Sequence, residues 1–256
     1  MPATIKLKEL YGDALAVIFV ESQGASADVA EAFAWRQKWM RIDAMWTGER
    51  PVHVEGNTIP KFALIAADGT VLHTGNPLEM KKQIEESIAA EVKKSTTAPD
   101  GTPKELAKAW SAFIKNDVAV AIAECDKLAS DAAKAAKEEF SARTSAKIER
   151  AKWLADNGFV PQADALVAAL QKSTKGVADL AQKLDEVARA LAAESLKSER
   201  EAAKALVSLE AKIATDKPFD ESNVKKLQGI AEKFKNTKAA QRASHLVALS
   251  KIKPAR

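Results

Sequence analysis

The chain has 256 residues, of which 46% are apolar and 29% charged, and its net charge at neutral pH is +4. This composition is typical of a soluble globular protein with one large domain or two ordinary ones. It holds a single cysteine, Cys125, which excludes an internal disulfide and a paired-cysteine redox motif. No apolar run approaches the ~20 residues that a membrane-spanning helix needs.

The first twenty residues, MPATIKLKELYGDALAVIFV, do not fit a signal peptide. The apolar stretch is short, and no small-residue cleavage site follows it. We therefore expect either a cytoplasmic protein or an exported one from which a leader has been removed.

The next predicted elements are a strand and a helix. The run from Leu15 to Val20, LAVIFV, is continuously apolar and β-prone, which is typical of a strand buried on both faces. Ser26 is a candidate N-cap for a helix that has Asp28 in its first turn and runs to about Met40. Apolar residues cover more than one face of this helix, which predicts packing on two sides: Ala30, Phe33, Trp35, Trp39 and Ile42.

A hairpin and a second helix follow. The stretch KFALIAADGTVLHTG predicts two strands joined by a two-residue turn at Asp68 and Gly69. Asn76 is the predicted cap of the next helix, with Pro77 in its first turn and Glu79 completing a capping box. Four apolar residues at helical spacing form its expected buried stripe: Met80, Ile84, Ile88 and Val92.

The polar stretch KKSTTAPDGTP separates two regions of different character. It predicts a linker at 95–102 between a domain at 1–94 and a domain at 103–256. Capping boxes, apolar stripes and Asn, Gly or Pro breaks predict that nearly all of the second domain is helical. The expected helices span about 103–115, 118–130, 132–156, 161–174, 177–196, 199–215, 221–235 and 238–252.

Two segments of the helical region align with each other. FIKNDVAVAIAECDKL and LADNGFVPQADALVAAL match at a period of roughly forty residues. A later segment, IAEKFKNTKAAQRASHLVAL, has a helix, a short Asn-Thr turn and an Ala-rich helix, and it resembles the end of a tetratricopeptide-like array, although the full signature of that repeat is absent. An irregular antiparallel helical bundle is the alternative interpretation.

The order of strand, helix, the tripeptide TIP, hairpin and helix resembles the thioredoxin-like family, especially divergent members joined to helical domains in bacteria. The resemblance runs from Tyr11 to Val92. It implies an α/β thioredoxin-like N-terminal domain followed by an all-α helical-hairpin domain. It also implies that Pro60 follows a cis peptide bond and that the backbone of Ile59 pairs with an extended peptide.

The family carries its cysteine pair after the first strand, and this chain has no thiol there. Aligned with that pattern, VIFVESQGASAD places Gly24 and Ala27 at the cysteine positions. Other registers offer Ser22, Gln23, Ala25 or Ser26, and none of these can perform thiol chemistry. The resemblance therefore implies a vestigial active-site loop, with a peptide contacting Gly24, Ala27, Ile59 and Pro60.

No other pattern in the sequence indicates a catalytic, cofactor or metal site. His53, His73 and His245 form neither a metal cluster nor a recognisable triad with a nucleophile. No glycine-rich phosphate loop is present. We expect no catalytic residue, no cofactor and no metal, and we expect Cys125 to be a buried inert thiol.

The C-terminal forty residues are basic, with ten Lys or Arg and three Asp or Glu between Lys217 and Arg256. A solvated helical face explains this charge most simply. Only Phe219 and Phe234 are interleaved with the basic residues, so a nucleic acid partner is not expected.

These observations predict a non-catalytic thioredoxin-like protein that acts as an interaction or scaffold module with a protein partner. One alternative is a redox-silent accessory of a thiol–disulfide system that binds client peptides. Another alternative is an enzyme whose site the sequence does not reveal.

The first testable prediction concerns redox chemistry. We expect no insulin reduction and no disulfide isomerisation above background, because one thiol cannot form the pair that dithiol–disulfide exchange uses. Turbidity and refolding assays on the purified chain measure both reactions, with Cys125→Ser as control. Turnover above background that disappears in Cys125→Ser contradicts the prediction.

Overall fold

The computed structural model describes residues 2–18, 20–21, 24–40, 52–54, 59–216 and 218–253. The chain forms two compact units. The first unit holds Met1–Thr96, Ala214–Pro218 and Ile252–Arg256, and the second unit holds Thr97–Ile213 and Phe219–Lys251.

The first unit contains three helices and one hairpin among its described residues. Their bounds are α1 Pro2–Tyr11, α2 Ala27–Arg36, β1 Phe62–Ile65, β2 Val71–Gly75 and α3 Lys81–Ser95.

The strand predicted from Leu15 to Val20 is wrong for the residues that the structure describes. Positions 15–18 and Val20 adopt no regular structure. Val17 is buried instead against Ile5 of α1, with Leu15 and Trp39 packed around them. The apolar run therefore finds its burial against helix-borne side chains and not between neighbouring strands.

The predicted thioredoxin-like α/β domain is also wrong. In the described part of the first unit the sheet has two strands, β1 and β2, paired antiparallel from Phe62 opposite Gly75 to Ile65 opposite Val71. An isolated two-stranded hairpin is marginally stable and cannot form the central layer of an α/β fold. The chain is mostly α-helical, with the hairpin as a local addition.

The hairpin itself is confirmed, but its turn differs from the predicted two-residue turn. The N–H of Gly69 donates to Ala66 O at 3.0 Å, and the N–H of Ala66 donates to Thr70 O at 2.8 Å. Gly69 has φ +90°, so the loop is a three-residue turn that ends in a left-handed glycine. Hydrogen bonds from the amide and then the hydroxyl of Thr70 lower the pKa of Asp68.

Helix α2 ends at Arg36 and not near Met40. Lys38 takes φ +59°, and the N–H of Trp39 reaches back to Ala34 O at 2.9 Å. This pattern is a Schellman motif, which stops a helix by turning one residue left-handed. Buried alanines and Trp35 lie on more than one face of α2, as predicted, whereas Phe33 is exposed.

Helix α3 begins at Lys81, five residues after its predicted cap. The side chain of Asn76 accepts from the Leu78 N–H at 3.0 Å and donates to Glu79 Oε1 at 2.9 Å. The predicted capping box is therefore wrong: Asn76 and Glu79 bond through their side chains, and they close a separate turn ahead of the helix. Ile88 is the buried member of the predicted stripe.

The second unit consists of helices, and all eight helical segments predicted after residue 103 are found. Their bounds are α4 Ala107–Ile114, α5 Val118–Asp126, α6 Asp131–Asp156, α7 Val160–Ser173, α8 Ala178–Leu191, α9 Lys197–Thr215, α10 Glu221–Lys233 and α11 Lys238–Ser250. The largest difference is at α8, which ends at Leu191 before a short 3-10 turn, Glu194–Leu196. One continuous apolar core runs from Leu106 through Leu191.

The α4–α5 turn and the α6–α7 turn have the same hydrogen-bond pattern. Asn116 has φ +60° and Gly158 has φ +78°, and these residues are 42 positions apart. After Asn116, the N–H of Asp117 donates to Ala112 O at 2.9 Å. After Gly158, the N–H of Phe159 donates to Leu154 O at 2.8 Å. Both turns are Schellman motifs whose last residue also starts the next helix.

Burial follows the same register of 42 residues. Five pairs of equivalent positions are buried in both hairpins: Leu106 and Ile148, Ala109 and Ala151, Val118 and Val160, Ala121 and Ala163, Cys125 and Val167. The α4–α5 pair and the α6–α7 pair therefore share their turn and part of their buried positions, although α6 is much longer than α4. The α8–α9 and α10–α11 pairs have different turns.

The second testable prediction compares two glycines with positive φ. A Cβ on Gly158 would lie 2.7 Å from Lys238 Cβ and 2.9 Å from Glu199 Oε1, whereas a Cβ on Gly176 meets nothing within 4 Å. Gly176→Ala should cost about 1 kcal/mol for its left-handed backbone, and Gly158→Ala about 1–3 kcal/mol more for the clash. Thermal unfolding followed by circular dichroism measures both. Equal losses in the two variants contradict the close approach.

Candidate interaction surface

The predicted vestigial loop lies on the surface at the start of α2. Gly24 has φ +82°, and its N–H donates to Glu21 Oε2 at 3.0 Å. Ala25, Ser26 and Ala27 are exposed, and the Ser26 side chain makes no capping hydrogen bond. Ser22 and Gln23 lie outside the described residues.

The peptide bond between Ile59 and Pro60 is cis, as predicted. Ile59 is 59% exposed, and Pro60 is exposed as well. Among the described residues, no hydrogen bond joins this dipeptide to the loop of Gly24 and Ala27. Their joint role as a peptide-binding site stays a prediction, and the fold that implied it is absent.

Sequence reasoning missed one polar pair in the first unit. His73 of β2 and Ser87 of α3 lie 2.8 Å apart, from Nε2 to Oγ. A serine nucleophile needs a base that a third group orients. In the described part of the chain, His73 Nδ1 has no hydrogen-bond partner. The pair therefore attaches the hairpin to α3 and lacks the third member of a catalytic triad.

Among the residues that the structure describes, no three His, Cys, Asp or Glu side chains are grouped so that they could hold a metal ion. None of the described helices combines the length and the apolar character that crossing a membrane requires.

Cys125 is buried in α5. Its burial, followed by the negative charge of Asp126, raises the pKa of the thiol. A raised pKa disfavours the nucleophilic thiolate, so this cysteine has the environment of a packing residue.

A buried carboxylate of α9 holds the start of α11. Glu199 is 7% exposed. Its carboxylate accepts from the N–H groups of Lys238 at 2.7 Å and Ala239 at 2.9 Å. Thr237 Oγ1 accepts from the N–H of Ala240 at 3.0 Å. Three of the N–H groups that a helix start leaves unpaired are thus satisfied by side chains.

Gly158 permits this arrangement because it has no side chain. A Cβ at this position would meet the side chains of both Glu199 and Lys238, and Lys238 Nζ donates to the carbonyl of Asp156 in the same turn. The α6–α7 turn, α9 and α11 therefore meet at one point inside the second unit.

A second polar contact joins α9 to α7 and α8. The guanidinium of Arg200 donates to both carboxylate oxygens of Asp164, at 3.0 and 3.3 Å, and to Leu191 O at 2.6 Å. The hydrogen bond to Asp164 raises the pKa of Arg200. This two-pronged geometry fixes the direction of α9 along α7.

Two cations and two aromatic rings stack on one another toward the surface of the second unit, and we call this stack the ladder: Arg242, Phe159, Trp153 and Arg150. Arg242 pairs with Glu210 at 2.5 Å and lies 4.3 Å from the ring centre of Phe159. Phe159 stacks on Trp153 with centroids 6.0 Å apart, and Arg150 lies 4.4 Å from the Trp153 ring. The outer end of the ladder, Arg150 with Trp153, is exposed, and Trp153 is 48% exposed.

Two more cations lie on α6 near this exposed end. Arg143 and Lys147 are exposed and precede Arg150 by seven and three positions. Residues four and three apart occupy neighbouring positions along one side of a helix. We call Arg143, Lys147, Arg150 and Trp153 the α6 strip. Because it combines exposed cations with an exposed aromatic ring, we take the α6 strip as the candidate binding surface of the described helices in the second unit.

The comparisons with protein-family models, curated proteins and solved structures find no significant match to this chain.

The third testable prediction concerns Glu199. Glu199→Ala should cost about 2–3 kcal/mol, since it leaves two N–H groups of α11 without an acceptor. Glu199→Gln should cost less, because the amide oxygen can still accept one of these bonds. Urea unfolding of the full chain measures the losses, and hydrogen exchange should show reduced protection at Lys238 and Ala239.

Glu201→Ala is the matched control for Glu199→Ala. Glu201 is an exposed glutamate of the same helix, so its loss should change stability by less than about 0.5 kcal/mol. If the Ala variants of Glu199 and Glu201 are equally stable, Glu199 does not hold α11.

Proposed function

We propose that this protein is a non-enzymatic interaction or scaffold module whose binding surface lies on the helical hairpins of the second unit. The observation that carries the proposal is the repetition of α4–α5 by α6–α7, with equivalent turns and equivalent buried positions. Stacked helical hairpins form extended surfaces on which partners bind, and their interior packing is separate from the binding residues.

Equivalent positions outside the core differ between the two hairpins, which supports the same proposal. Arg150 replaces Lys108 at the register of 42 residues, and Trp153 replaces Ser111. Trp153 is half-exposed, so part of its ring lies outside the core and is open to solvent. Large aromatic and arginine side chains are also the residues that dominate protein–protein contacts.

The alternatives are less well supported. A client-binding accessory of a thiol–disulfide system depends on the thioredoxin-like fold, which is overturned. An enzyme would need an oriented base or a ligand cluster, and the pair of His73 and Ser87 does not supply the third group.

The fourth testable prediction is that the full chain binds a protein partner saturably. Cross-linking in an extract of the source cells should identify a partner, and purified components should reconstitute the complex in titration calorimetry. Hydrogen exchange of the reconstituted complex should then show new protection on α4 to α7. This location is expected because the repeated hairpins form the proposed surface.

The control is a variant outside the proposed surface. Leu78 lies in the first unit and is 77% exposed, so Leu78→Ala should bind the partner like the wild type. New protection confined to the first unit, or failure to reconstitute a saturable complex, contradicts the proposed function.

A further inference from the structure

We infer that the α6 strip binds an acid-rich segment of a partner protein. This inference rests on the proposed interaction function and adds the chemistry that the surface recognises. The strip offers three cations in a row beside an exposed tryptophan: Arg143, Lys147, Arg150 and Trp153.

Each cation of the strip is held in place by a neighbour. The guanidinium of Arg143 lies 5.7 Å from the ring centre of Trp110 and 6.0 Å from that of Phe113. Lys147 Nζ donates to Asn116 Oδ1 at 3.2 Å. Ordering these side chains in advance reduces the entropy that a partner must overcome on binding.

Arg150 is the cation best arranged to receive a carboxylate. Its guanidinium lies over the Trp153 ring at 4.4 Å, and within the described residues no carboxylate pairs with it. A guanidinium stacked on a ring keeps its N–H edge available for a two-pronged bond to a carboxylate. In contrast, Arg143 already pairs with Glu139.

The spacing of the strip suits successive acidic residues. Arg143 and Arg150 are seven helical positions apart, which corresponds to about 10 Å along α6. An extended peptide covers this distance in about three residues. Carboxylates one or two residues apart on such a peptide can thus face Arg143, Lys147 and Arg150 together.

Nucleic acid is less well suited to the same surface. Single strands bind where bases stack on open aromatic faces. The Trp153 ring is already stacked by Arg150 and by Phe159, whose plane lies 12° from its own. The strip also contains only three cations, so few phosphates could be neutralised.

The test measures binding of a fluorescein-labelled oligoglutamate peptide of roughly ten residues to the full chain by fluorescence anisotropy. We expect saturable binding that weakens with salt, as for exposed charges. The double variant Lys147→Gln with Arg150→Gln should weaken binding about tenfold. Arg150→Lys should weaken it less, because the charge stays while the two-pronged bond is lost.

The matched control is the double variant Lys226→Gln with Lys235→Gln. It makes the same change in net charge at exposed positions of the second unit, in and after α10, and it should bind like the wild type. Circular dichroism and thermal unfolding verify that all variants are folded.

Three results with the probes, and a fourth with a reconstituted partner, would overturn the inference. One is the absence of oligoglutamate binding, and another is an equal loss in the two double variants, which would indicate a response to net charge alone. The third is tighter binding of a single-stranded DNA of equal charge through Lys147 and Arg150. If a reconstituted protein partner binds α4 to α7 undiminished by the Lys147 and Arg150 changes, this inference fails while the interaction function stands.

Discussion

The second unit depends on the buried carboxylate of Glu199 at the start of α11. Its two hydrogen bonds to the N–H groups of Lys238 and Ala239 join helices that are distant in sequence. A buried charge is tolerated only when it is paired with donors, and the positive end of the α11 dipole supplies them. Gly158 must approach this point without a side chain, so the α6–α7 turn is fixed by the same contact.

The position of the α6–α7 turn also determines which side chains α6 exposes to solvent. Phe159 follows Gly158 and packs between Arg242 on the inner side and Trp153 on the outer side. Trp153 then supports Arg150. The interior contact at Glu199 and the exposed α6 strip are therefore two ends of one packed arrangement. These contacts hold the exposed side chains of Trp153 and Arg150 in place.

In the first unit, the α/β fold predicted from the sequence was wrong. The run from Leu15 to Val20 is apolar enough for a buried strand, but such a run does not specify what covers it. Val17 packs with Ile5 of α1, a helix that the sequence did not indicate. The hairpin was predicted correctly because its turn depends on adjacent residues. The cis bond at Pro60 was also predicted correctly, but from the resemblance to a fold that the chain does not adopt. Although the hairpin was predicted correctly, the larger sheet of the predicted α/β domain was not.

The sequence by itself determined the helices of the second unit and most of their breaks, and it showed the similarity between the α4–α5 and α6–α7 segments. Turn residues such as Asn116 and Gly158 and the periodic apolar positions act within a few residues, so they can be read along the chain. Only the tertiary structure decided the site. Glu199, Gly158 and Lys238 are separated by about forty residues each, and no local pattern marks their meeting. The sequence pattern does not mark Arg150 or Trp153, and the contact of Arg242 with Phe159 behind Trp153 depends on how α11 packs. Contacts of this kind depend on how helices pack, which local propensity does not encode.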